Sequence, residues 1–280
     1  GNVKKIASHI TKKVADKLDE MFRKDRADFE SKWNDMKIII EYGMLTEDKF
    51  FDKAKKFAMY ADTDGGLHTF EAYLESIKEQ QTDKDKKTVV LYASNKDAQH
   101  SYIQNAKNKG YGVLLLDSPL TSHLLQKLEQ EHENTTFARV DSDLIDNLIK
   151  KDETRVAKLS DKQKEELKTR LETIVPKEKF TLKLEDMDST EAPLVITVPE
   201  FMRRMKEMQM TGGGGMMGMG DFPDMYDLIV NANHPLASKI LDTEDADARG
   251  TAVNQALDLA KLQQNLLHGE ELTAFIARSY

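Results

Sequence analysis

Apolar side chains recur at steps of three and four along the start of the chain. Ile6, Ile10, Val14, Leu18 and Met21 form one stripe between Val3 and about Lys24, and Phe29, Trp33, Met36 and Ile40 form another between Arg26 and Tyr42. A helix of 3.6 residues per turn brings such positions to one face. A third helical pattern runs from Thr46 to Tyr60, with Thr46 as the candidate cap. The spacing predicts three packed helices.

The pattern then changes. "KTVVLYAS" (Lys87 to Ser94) and "YGVLLLDSP" (Tyr111 to Pro119) are short apolar runs joined by a polar helical segment that ends at Gly110. Two buried strands joined by a helix make a parallel βαβ unit, whose crossover is expected to be right-handed. A helix over about Leu120 to Glu131 and a strand near Thr136 to Val140 follow. Charged, weakly periodic sequence between Asp141 and Ser160 places the domain boundary near Asp152.

Beyond it, Ser160 opens a helix through Leu167, Leu171 and Ile174 that Pro176 ends. "KFTLKLED" alternates like a half-buried strand, and "APLVITVPE" is its expected antiparallel partner. The last third reads as helical, from "PDMYDLIVNANHPLASKILD" to the end. In the long helix Val253, Ala256, Leu257, Ala260 and Leu267 form one stripe, and Leu259, Leu262 and Leu266 form a second. A helix apolar on two sides needs two partners. A second copy of the same helix would supply one of them, in a two-fold four-helix bundle. The expected class is α/β plus α+β: residues 1–152 contain a small βαβ unit, and residues 153–280 form an α+β domain ending in a helical bundle.

Composition narrows the function. Of 280 residues 32% are charged, with a net charge of -8, so nothing basic enough for nucleic acid stands out. There is no cysteine, which rules out disulfides and thiolate metal sites and suits a reducing cytoplasm. No apolar run is long enough to span a bilayer, so no membrane partner is expected. The histidines are scattered without metal-ligand spacing. His132, between two glutamates, reads as a solvated helix end, and His234, before Pro235, as a cap or turn.

Eight of the 13 methionines lie between Met202 and Met225, in "EFMRRMKEMQMTGGGGMMGMGDFPDMY". Unbranched, polarizable methionine suits a surface that adapts to irregular shapes. Phe201, Met205 and Met208 share one face, with Met202 beside it, while Arg203, Arg204, Lys206 and Glu207 are expected to keep the other side in water. The glycines contain a literal G-x-G-x-x-G at Gly213, Gly215 and Gly218. A dinucleotide site requires that motif between a strand and a helix. Here it follows the methionine helix, so it reads as a connector. An alternative function, a small nucleotide- or phosphate-binding α/β enzyme domain, needs a glycine-rich turn after the first βαβ strand, where the sequence is "ASNKDAQ". A methionine-rich module for signal-peptide recognition would need a basic RNA-binding motif that the acidic chain lacks.

Several segments together resemble the ninety-kilodalton heat-shock protein family, in its bacterial HtpG-type branch. They are "ITKKVADKL", "KFAMYAD" with "TFEAYLESIKE", "VVLYAS" with "GYGVLLLDSPLTSHLLQKL", "FMRRMKEM", "NANHPL" and "ALDLAKLQQNLLHGEELTAFIARSY". The resemblance implies the C-terminal part of the family's middle domain (1–152), followed by its C-terminal dimerisation domain (153–280). It also implies a cytoplasmic homodimer that binds non-native client proteins. Client contacts would come from Phe201, Met202, Met205 and Met208, and dimer contacts from Val253, Leu257, Ala260, Leu262, Leu266, Leu267, Phe275 and Ile276. A second client patch of the family maps near Thr121 to Leu125, where its aromatic residue is replaced and Ser122 and His123 stand in that neighbourhood. ATP and magnesium would serve the full-length parent, through a nucleotide-binding domain and a Ser-Arg-Glu arginine upstream. No cofactor and no ATP hydrolysis are expected of these residues. The ending Ser279-Tyr280, without the acidic tail of eukaryotic relatives, fits the bacterial type.

Overall fold

The computed structural model describes residues 2–211 and 224–280; the glycine motif at Gly213, Gly215 and Gly218 lies outside them. The chain is mixed α/β and divides into two compact units. The first comprises residues 2–140, 148–150 and 204–211; the second comprises residues 141–147, 151–203 and 224–280.

In the first unit, α1 (Asn2–Lys24) and α2 (Arg26–Thr46) follow the predicted stripes. Phe29, Trp33 and Ile40 of α2 are buried. In α1 only the second half meets the core, through Ala15, Leu18, Met21 and Phe22. Ile6, Ile10 and Val14 face outward, contrary to the expectation of a helix packed along its length. The third helix also differs from expectation. It is α3 (Asp48–Ala54), preceded by Glu47 without a side-chain cap, and Thr46 belongs to α2. Met59–Ala61 forms strand β1, paired antiparallel with β2 (Leu67–Thr69). The reason lies in the turn. The Asp62 carboxylate accepts the backbone N–H groups of Asp64 at 2.8 Å and Gly66 at 3.0 Å, and Gly65 takes φ +92, a conformation that reverses the chain into the hairpin.

Helix α4 (Phe70–Ile77) leads to the three-stranded sheet. Strand β3 (Thr88–Ala93) is central, between β4 (Val113–Leu115) and β5 (Thr135–Arg139), and both pairings are parallel. Helix α5 (His100–Asn108) joins β3 to β4, and α6 (Thr121–Glu131) joins β4 to β5. Residues 89–93 are all buried, as a strand covered on both faces must be. This is the expected βαβ unit.

After a short helix α7 (Ile145–Leu148), the second unit opens with α8 (Asp161–Glu172). Ser160 caps it as expected: its Oγ accepts the Gln163 N–H at 3.2 Å, and the Gln163 side chain accepts the Ser160 N–H at 2.9 Å. This reciprocal pair satisfies donors that a helix start leaves open. Strands β6 (Phe180–Glu185) and β7 (Leu194–Thr197) form as predicted, but they do not pair with each other. A third strand, β8 (Tyr226–Asn231), lies between them, parallel to β6 and antiparallel to β7. The sequence pattern assigns that stretch to a helix. Consecutive Leu228, Ile229 and Val230 are all buried, which a central strand demands and a helix face does not. Between α7 and β8 the chain also forms α9 (Glu200–Thr211). Helices α10 (Pro235–Asp242), α11 (Ala246–Gln263) and α12 (Gly269–Arg278) complete the unit.

Candidate functional site

Helix α9 carries the methionines. Glu200 in its first turn pairs with Arg203 one turn on, a placement that suits the positive end of the helix dipole. No residue of α9 is fully buried. Its apolar side chains point to solvent: Phe201 is 71% exposed, Met202 56%, Met205 36% and Met210 77%. Met208 is half-buried.

The polar side is the anchored one. Arg204 places one nitrogen on the Glu129 carboxylate and donates the other to the Phe137 carbonyl at 2.7 Å. Glu129 in turn accepts the Phe137 N–H at 3.1 Å, so both charged groups are tied to β5. The Ser122 hydroxyl donates to Glu207 at 2.6 Å, and the His123 Nε2 meets the Thr211 hydroxyl at 2.9 Å. Residues 204–211 therefore run against α6 in the opposite direction, inside the first unit. The expectation that arginines and glutamate keep this side in water is corrected: the side chains of Arg203 and Arg204 are only 9% and 13% exposed. Charged groups paired in good geometry can be covered, and covering them turns the methionine side outward.

Ser122 and His123 were expected near a second contact patch, and the geometry brings them to the foot of the methionine helix. Beside them a groove of about 400 Å³ is lined by Leu45, Leu120, His123, Lys127 and Thr211. Lys127 closes its floor by donating to the Met44 carbonyl at 2.8 Å and to Asp48 at 2.9 Å.

The residues expected at a dimer contact separate into two groups. Val253, Leu257 and Ala260 lie in the second unit's own core, where α11 packs on β7; beyond the end of α11, Leu267 is buried and Leu266 packs against that core half-buried. On the other side of α11, Leu259 and Leu262 are 52% and 39% exposed, and α12 adds Ile276 at 45%, with Phe275 half-buried. Arg278 to Asp258 and Lys261 to Glu271 bind α12 to α11.

The turn after β3 binds several of its own backbone donors. Gln99 Oε1 accepts the Ser94 N–H at 2.8 Å and Asn95 Oδ1 accepts the N–H groups of Asp97 and Ala98, so the donors that would cradle an anion are already used. Among the described residues no group of three or more His, Asp or Glu side chains could hold a metal ion, and no helix is long and apolar enough to cross a membrane.

Residues 2–268 match the sequence profile of the family described as Hsp90 protein. The chain is 47% identical to the chaperone protein HtpG of Bacteroides fragilis over 249 residues, which cover 88% of this chain and 36% of that protein. It is 43% identical to the chaperone protein HtpG of Porphyromonas gingivalis over 94% of this chain and 39% of that protein. The HtpG of Myxococcus xanthus is 22% identical over 96% of the chain and 41% of that protein. The chain thus spans about two-fifths of the length of its relatives.

Proposed function

The chain belongs to the Hsp90 family, and from that we propose that it is the dimerisation and client-binding portion of an HtpG-like molecular chaperone, with residues 1–152 as the end of the middle domain and 153–280 as the dimerisation domain. The observation that carries the reading is the orientation of α9. Its polar side is bound by Arg204, Glu207 and Thr211, and its apolar side, Phe201, Met202 and Met205, faces solvent. A row of flexible apolar side chains held outward on a fixed helix suits partners of irregular shape and no fixed sequence, which describes non-native protein. The groove beside His123 extends the same surface.

On this reading two copies associate through the outward stripe of Leu259 and Leu262 with Phe275 and Ile276 of α12, while Val253, Leu257, Ala260 and Leu267 support that stripe from beneath. Each exposed leucine that becomes buried contributes about 1.5–3 kcal/mol before the costs of association. The protein acts in the cytoplasm, and ATP and magnesium act in the parent's nucleotide-binding domain. The enzyme-domain alternative gains no support from the relatives or from the turn after β3.

A photoreactive amino acid in place of Met205 tests the assignment. Illumination in the presence of a chemically unfolded polypeptide is expected to give a crosslinked adduct, while the same polypeptide in its folded form gives none. Equal capture of both forms would remove the basis for client selection by this helix.

A further inference from the structure

We propose that Met202, Met205 and Met210 of α9 form a reversible oxidation site, at which hydrogen peroxide turns an apolar surface polar. The consequence for clients rests on the reading of α9 as a client surface; the modification itself does not. The chain has 13 methionines and no cysteine, so no thiol competes for the oxidant and the thioethers are its first targets. Burial then sorts the methionines. Met44 and Met59 lie in the first unit's core, and Met21 and Met36 pack against it. Met202, Met205 and Met210 are exposed, as is Met225 ahead of β8.

The sulfur lone pair attacks one peroxide oxygen and the O–O bond breaks. The departing hydroxide takes the proton of the transferred oxygen and leaves as water, so sulfur is oxidised and peroxide reduced. The product is a sulfoxide, whose polar S–O group stands where a flexible apolar side chain stood. At exposed positions water solvates that group, whereas in a core it would lie without a donor. The contacts that hold α9 contain no methionine: Arg204 on Glu129 and Phe137, Ser122 on Glu207, and His123 on Thr211. The helix therefore keeps its place while the surface it presents changes. Methionine sulfoxide reductases restore the thioether, with one enzyme for each sulfoxide epimer; the oxygen leaves as water and a dithiol becomes a disulfide.

Peptide mass spectrometry after timed exposure to dilute hydrogen peroxide reads the site directly. Met202, Met205 and Met210 are expected to gain oxygen at least about tenfold faster than Met44 and Met59; equal rates would overturn the proposal. Retention on a hydrophobic-interaction column then reads the surface without any client, and binding of a labelled, chemically unfolded polypeptide reads its use. Each protein is compared with itself before and after oxidation. In the wild type, retention is expected to fall and binding to weaken by about tenfold or more, both returning after treatment with the two reductases. Leucine has no sulfur and suits a helix. In the variant Met202→Leu, Met205→Leu, Met210→Leu, peroxide is therefore expected to change neither property, although every other methionine, Met225 included, remains. A variant that loses as much as the wild type would place the effect on other methionines, and a wild-type column profile unmoved by selective oxidation would mean an unchanged surface; either result overturns the proposal. Selective oxidation with the column shift, in a protein that does not bind the polypeptide or binds it regardless of oxidation, would support the oxidation site and remove the client reading of α9.

Discussion

Arg204 and Glu129 hold each other against the edge of Phe137. The arginine donates to the Phe137 carbonyl at 2.7 Å, and the glutamate takes the Phe137 N–H at 3.1 Å. One ion pair thereby fixes the second half of α9 to both backbone groups of a β5 residue, and this fixes which side of the helix faces out.

Removing the arginine leaves Glu129 without its cation and the carbonyl without this donor. Arg204→Ala is expected to weaken the docking of residues 204–211 by about 1–3 kcal/mol. Hydrogen exchange reads this locally. Amides of α9 are expected to exchange about tenfold faster or more, while those of buried β3 keep their rates. Unchanged protection in α9 would show that the clamp does not hold the helix.

The two sides of α11 predict different failures. Leu262→Glu combined with Ile276→Glu changes exposed positions and is expected to give a folded monomer by sedimentation, with the melting profile of the second unit retained. Leu257→Glu places a charge in the core beside β7 and is expected to unfold that unit. A double variant that keeps the mass of a dimer at micromolar concentration would contradict the assigned interface.

His234 introduces a pH dependence. Its Nδ1 accepts the Leu236 N–H at 3.0 Å and caps α10, which requires a neutral ring, and burial lowers its pKa below the usual 6.5. The unfolded chain therefore takes up this proton first as pH falls. The contribution is fully present above about pH 6.5 and is lost as pH drops through the lowered folded value. His234→Asn retains a capping side chain without the titration. Urea midpoints at about pH 7.5 and 5.0 should show a smaller acid loss in the variant than in the wild type; identical losses would assign the effect elsewhere.

Asn233 ties three segments of the second unit together. Its amide donates to the carbonyls of Val156 and Met187, both at 2.8 Å, and its oxygen accepts the Lys158 N–H at 2.9 Å. Asn233→Ala leaves these backbone groups without their partner and is expected to lower the second unit's stability by about 2–3 kcal/mol, measured by denaturant unfolding. A loss below about 0.5 kcal/mol would place the variant among ordinary surface changes.

Much of this fold is legible in the sequence where one local signal decides. Ser160 marks the start of α8, and the apolar runs around Val90 and Leu114 identify two parallel strands. Strand β8 is missed because Leu228, Ile229 and Val230 form a short continuous apolar run, which periodicity alone does not separate from a buried helix. The overlong third helix has a similar cause. Ala58 to Tyr60 continue its apolar spacing, and the turn that pairs them into a hairpin instead is held by the Asp62 carboxylate accepting the N–H groups of Asp64 and Gly66.

The site divides the same way. The amphipathic spacing of Phe201, Met205 and Met208 is visible in the chain, but its orientation depends on partners 67 to 88 positions away. No local pattern links Arg204 to Phe137 or Thr211 to His123. Of the second stripe read on α11, Leu259 and Leu262 are exposed, while Leu266 lies beyond the end of the helix and packs against the core.

The most direct test of the account measures binding of a labelled, chemically unfolded polypeptide to the wild type and to a variant with Phe201, Met202 and Met205 changed to Ser, with mass followed by light scattering on the same samples. The account predicts saturable binding by a wild-type dimer, and a variant of unchanged mass that binds about tenfold more weakly or worse. A variant that binds as tightly as the wild type, or a wild type that does not bind at all, would contradict it.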